Sequence, residues 1–95
     1  MPVSLADIAT ANASRYLQQL CKHWSHKFQV TFDDHSGKVP FSDAAELTLI
    51  ANGDVLSLKL DASADRLPTL EEVVAEHLKR FAFREELRID WQPVG

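Results

Sequence analysis

The chain has 95 residues, 14 acidic against 10 basic, and a net charge of −4. That length makes one domain, residues 1–95, able to bury roughly two thirds of its unfolded surface in a single core. The acidic balance excludes general nucleic-acid binding, which needs a basic face to release counterions. A single Cys excludes an internal disulfide framework and fits a reducing cytosol, and no apolar run approaches the roughly 18 residues of a membrane span.

Residues 1–9 read as a lead-in without assigned structure. Met1 to Asn12 has neither a positive n-region nor an apolar h-region, so no signal peptide is read and a cytoplasmic protein is expected. Thr10 is placed to cap a helix running from about Ala11 to His26. At about 100° per residue, Ala13, Leu17, Leu20, Cys21 and Trp24 share one face with Tyr16 at its edge, opposite Arg15, Gln18, Gln19, Lys22 and His26.

Phe28 to Phe32 alternates as a strand. Asp33 to Gly37 reads as a turn and Lys38 to Phe41 as a short strand, with Pro40 marking an edge or bulge. Glu46 to Ala51 and Val55 to Leu60 are two more strands. Asn52-Gly53 between them is the strongest hairpin signal, because both residues accept the positive φ of a primed turn.

A second helix runs from Leu67 or Pro68 to Phe83, with Pro68 tolerated in the first turn. Leu70, Val73, Val74, His77, Leu78 and Phe81 form its apolar stripe. Leu87, Ile89 and Trp91 alternate as a last strand. The order α-β-β-β-β-α-β predicts a two-layer α+β sandwich: an antiparallel sheet of four to five strands with two helices on one face. Gln29, Thr31, Thr48, Ser57, Lys59, Arg88 and Asp90 are expected on the open face.

No catalytic signature is present: no Gly-rich phosphate loop, no Gly-x-Ser-x-Gly, no Cys-x-x-Cys. The chemistry-bearing residues gather at two helix ends. His77 interrupts an apolar stripe, which suits either a ligand or a core histidine with one hydrogen bond. His23 and His26 are three apart on one flank of the first helix. If the second helix packs alongside, His23, His26 and His77 become candidate ligands of a divalent transition metal, with a carboxylate such as Glu85 as a fourth. Lys22, His23, His26 and Lys27 also read simply as cations at a helix C-terminus, stabilised by the macrodipole.

Arg15, Lys22 and His26 form a basic stripe, and Lys79, Arg80, Arg84 and Arg88 add cations near the other helix end. Together they suit a small anion, unless Glu76, Glu85 and Glu86 pair with them. Cys21 points into the apolar face and away from His23, so it reads as an inert thiol rather than a nucleophile.

Arg15 to Trp24 with His26-Lys27, then Val73-Val74, His77 to Leu87 and Trp91, resemble a small bacterial family known as domain of unknown function 2218. The resemblance spans nearly the whole chain. It implies no established activity. It does imply a link to iron handling, since some family members are attached to FAD-binding siderophore-interacting proteins. The flavin-binding part is missing here, so the reductase activity is not inherited.

The expectation is a small cytoplasmic binding module rather than an enzyme. It would take a small anionic ligand or a partner protein through Lys22, His23, His26, His77, Arg80 and Arg84, with a tie to iron or siderophore metabolism. The alternatives are a metal protein built on His23, His26 and His77, and a homodimer formed through exposed apolar residues such as Phe41 or Phe83. No cofactor, nucleic acid or membrane is expected.

Overall fold

The computed structural model describes residues 2–94. It is an α+β fold: one six-stranded antiparallel sheet with two helices on one face. In chain order the elements are β1 (Val3–Ala9), α1 (Ala13–Trp24), β2 (Thr31–Phe32), β3 (Ser36–Ser42), β4 (Ala45–Asn52), β5 (Val55–Ala62), α2 (Leu67–Phe81) and β6 (Gln92–Val94). The strands lie in the order β2-β3-β4-β5-β1-β6.

The period-2 pattern sets the inner face. Leu47 and Leu49 of β4, Leu56, Leu58 and Leu60 of β5, and Ala6 and Ile8 of β1 are all buried. Leu17, Leu20, Cys21 and Trp24 of α1 and Leu70, Val74 and Leu78 of α2 close over them. Each fully buried leucine contributes about 1.5–3 kcal/mol, so this layer carries most of the fold's stability. Thr48, Ser57 and Lys59 face outward as expected, although Leu5 and Ile50 break the polarity of that face.

The expected sheet of four to five strands is corrected to six. The added one is β1, in the stretch read as a lead-in without assigned structure. It lies between β5 and β6, pairing Val3–Ala9 with Val55–Asp61 and Val3–Leu5 with Gln92–Val94. Ser4 is buried on its inner face, where its hydroxyl donates to the Glu71 carboxylate on α2.

One expected strand shrinks and another is displaced. Phe28–Val30 forms a turn off α1 instead, with the Phe28 N–H on the Trp24 carbonyl at 2.9 Å. Leu87, Ile89 and Trp91 pack against the core without a ladder partner, and pairing begins only at Gln92. Gln29, Arg88 and Asp90 consequently lie in loops rather than on the open sheet face. The helix expected over Ala11–His26 is Ala13–Trp24, with the Thr10 hydroxyl accepting the Asn12 N–H at 3.1 Å just ahead of it.

The β4–β5 turn also shifts by one residue. Asn52 pairs with Val55, which leaves Gly53-Asp54 as the loop, and only Gly53 has positive φ, at 61°. Glycine first with a single positive φ is the II′ pattern, which suits the twist of the two strands.

Gly37, expected in a turn, is instead buried in β3 beneath α1. A Cβ there would stand 2.6 Å from the Cys21 Sγ and 3.2 Å from the Phe32 Cβ. The missing side chain is what lets α1 lie this close to the sheet.

Candidate ligand-binding groove

The two helices run antiparallel. The end of α1 meets the start of α2, and the start of α1 meets the loop that follows α2. Polar chemistry collects at both ends.

At the first end a groove of about 270 Å³ opens between the helices and β3. Its apolar lining is Trp24, Phe28, Phe41, Leu70 and Val73, and its polar lining is His23, Lys27, Arg66 and His77. The aromatic rings hold one another edge-on: Trp24–Phe41 and Phe28–Phe41 both have centroids 5.2 Å apart and near-perpendicular planes. That is the favoured arrangement for ring quadrupoles. No Asp or Glu lines the groove, and among the described residues neither Lys27 nor Arg66 makes a salt bridge.

The two imidazoles come together here. The His23 and His77 centroids are 5.0 Å apart, and His77 lies 5.3 Å from the Trp24 ring. The His77 Nδ1 is 2.7 Å from the Val73 carbonyl one turn earlier. A carbonyl only accepts, so Nδ1 carries the proton and donates it, leaving Nε2 as the unprotonated nitrogen of the neutral ring. His77 is therefore both a half-buried core-edge residue with one satisfied hydrogen bond and a groove residue with one lone pair to offer.

The remaining expected residues scatter. His26 follows the end of α1 and is exposed, outside the groove. Among the described residues no three His, Cys, Asp or Glu side chains gather into a group that could hold a metal ion. Lys22 lies on the other flank of α1 with Arg15 and Gln19. Arg84 lines a separate cleft beside Phe83, its guanidinium carbon 5.4 Å from that ring's centroid. Arg80 is exposed. Lys22, Arg80 and Arg84 thus do not line one groove, and Glu76, Glu85 and Glu86 form no salt bridge with them among the described residues. Phe41 and Phe83 lie at opposite ends of the helix pair and do not share a patch.

Glu85, considered above as a fourth metal ligand, is fully engaged at the opposite end. Its carboxylate accepts the Tyr16 hydroxyl, the Asn12 amide at 2.9 Å and the Thr10 hydroxyl at 3.1 Å. The Tyr16 and Asn12 hydrogen bonds hold the Glu85 carboxyl below the usual carboxylate range. The same bond to Glu85, aided by burial, pushes the Tyr16 phenol up. Cys21 behaves as read: burial pushes its thiol up to about 11, far from a reactive thiolate.

Arg66 is the groove residue the sequence did not flag. It sits at the N-cap position of α2, and Pro68 marked that helix start. Only the antiparallel packing brings it to Lys27.

The chain belongs to a bacterial family: its residues 5–92 match the family DUF2218, described as uncharacterized proteins conserved in bacteria. It is similar throughout its length to a protein of Pseudomonas aeruginosa, PA4090, whose structure was determined by NMR. The two are 39% identical, the match covers 97% of this chain and 96% of that one, and the TM-score is 0.81. No curated protein matches the sequence. Among the described residues no helix is long and apolar enough to cross a membrane.

Proposed function

We propose that this protein is a small cytoplasmic ligand-binding module whose inter-helix groove takes a compact amphipathic anion: a carboxylate on an aromatic or branched apolar body. One observation carries the reading. The groove joins an aromatic floor to two cations and two imidazoles, without a single carboxylate among its lining residues. Burying a ligand's apolar body on Trp24, Phe41 and Leu70 supplies affinity, and Arg66 and Lys27 orient its charge.

The test is an NMR titration of the full chain with benzoate and with benzamide, its neutral counterpart. Benzoate is expected to shift the Trp24 indole and the His23 and His77 ring resonances, with benzamide weaker by about tenfold for loss of one charge-assisted contact. Equal binding of the two, or no shift at millimolar benzoate, defeats the proposal. Arg66→Gln should weaken benzoate, whereas His26→Gln, outside the groove, should not. The iron and siderophore link implied by the family resemblance is tested by adding a catechol carboxylate to the series.

A second reading has its own observation. Two imidazoles sharing a tetrahedral metal, with Zn–N bonds of about 2.0–2.1 Å, have ring centres about 5 Å apart. His23 and His77 have that spacing, and the Val73 carbonyl fixes the His77 tautomer as second-sphere acceptors do. The bound anion would complete such a site. Near-stoichiometric Zn²⁺ in purified protein, lost in His77→Gln but kept in His26→Gln, would establish it; metal-free protein that gains none from added Zn²⁺ and benzoate would remove it.

A further inference from the structure

The outward flank of α1 is a second, separate surface. Residues 8–32 contain no Asp or Glu, in a chain that holds 14. Arg15, Gln18, Gln19 and Lys22 line a shallow trough, and Arg15 and Gln19 also border the cleft that contains Phe83 and Arg84. The two depressions therefore run into each other, forming one strip from Lys22 across Arg15 to Arg84.

Three features of the strip stand out. Arg15, Lys22 and Arg84 make no salt bridge among the described residues. Phe83 is 76% exposed, the most open large apolar side chain described. The Gln19 side-chain carbonyl is buried and receives no hydrogen bond among the described residues. Glu85, the only carboxylate in the strip, is saturated by Thr10, Asn12 and Tyr16.

We propose that this strip docks an acidic peptide segment of a partner protein, with carboxylates on Arg15, Lys22 and Arg84 and an apolar side chain on Phe83. The exposed Phe83 ring selects the ligand. An inorganic anion has no use for an exposed phenyl ring. A peptide brings carboxylates and apolar side chains together. The guanidinium stacked on Phe83 still presents edge donors to a carboxylate. The protein's overall charge of −4 does not prevent the approach, because charges beyond a Debye length of about 8 Å are screened at physiological salt. The strip shares no lining residue with the inter-helix groove, so it stands or falls apart from that site.

The experiment is fluorescence anisotropy of the full chain with a labelled peptide in which Glu and Asp flank a central Leu, beside its Gln/Asn counterpart and a single-stranded oligonucleotide of matched charge. The acidic peptide is expected to bind, more weakly as salt rises, and the neutral one not. Arg15→Glu with Lys22→Glu should weaken it by at least about tenfold, and Phe83→Ala by a few-fold. Lys59→Glu, on the opposite sheet face, should leave it unchanged. Folding of each variant is checked by its amide spectrum, and all substituted residues are exposed. The proposal is overturned if the acidic peptide does not bind, if Lys59→Glu weakens it as much as the α1 pair does, or if the oligonucleotide binds more tightly.

Discussion

The two ends of the helix pair both gather polar side chains, to opposite effect. Where α1 begins, one carboxylate accepts from three side chains, and Glu85 ties the loop after α2 to Thr10, Asn12 and Tyr16. Where α1 ends, two cations and two imidazoles stand over an aromatic floor with no carboxylate among the residues that line the groove. A saturated polar cluster fixes structure, because every donor there already has its acceptor. An unsaturated one over apolar surface holds recognition capacity in reserve. The difference lies in whether donors and acceptors are matched: one end brings a carboxylate to its donors, and the other lines its groove with cations and imidazoles without one.

That contrast can be broken, and the largest effect should come from the groove's floor. Trp24 is only 4% exposed, so Trp24→Ala should destabilise by about 3–5 kcal/mol in denaturant unfolding. A loss below about 1 kcal/mol would mean that the floor is not part of the core.

Next comes the middle of α1. Gly37→Ala forces a methyl against the Cys21 Sγ and should cost about 1–3 kcal/mol. In a Cys21→Ala background most of that cost should vanish, a coupling that a double-mutant cycle measures. Additive losses would place the clash elsewhere.

The saturated end should show its character in pH. Glu85 has a lowered carboxyl, so its stabilisation is complete above the unfolded value of about 4.3 and is lost as pH falls through the lower folded value. Tyr16 is raised, so its share is complete below about pH 10 and is lost as pH rises beyond it. Glu85→Gln should lower Tm at neutral pH and flatten the acid limb of the Tm–pH curve; an unchanged acid limb would show that the cluster is not what titrates.

The smallest stability effects belong to the groove's rim. Lys27→Gln and Arg66→Gln should change unfolding by no more than about 0.5 kcal/mol while weakening benzoate. A large loss of stability from either would make the rim structural and erase the contrast between the two ends.

Both helices and the β4–β5 hairpin were legible because long periodic runs and a glycine turn are local signals. β1 was not. Its inner face is Ser4, Ala6 and Ile8, one large apolar residue beside a small and a polar one, so its alternation is faint. What makes it a strand is pairing with residues more than forty positions away. Leu87, Ile89 and Trp91 mislead in the other direction: alternation there reports half-burial against the core, not a ladder.

In the site, His23 and His77 were legible as a pair conditional on helix packing, and the packing brings them together. Arg66 and the aromatic floor were not, since their convergence depends on helix direction and on Phe41 arriving from β3. Glu85 was read as a metal candidate because sequence shows a carboxylate's presence and not its hydrogen bonds.

The strand order β2-β3-β4-β5-β1-β6 also carries a kinetic consequence. β2 to β5 form a meander whose turns close over a few residues, whereas Val3 must find Asp61 and Val94. Loop-closure entropy rises with the separation of the joined residues, and such non-local contacts slow folding. The meander should therefore assemble first with the edge of β5 bare, and β1, the first of these six strands in chain order, should be the one that waits longest for its neighbours.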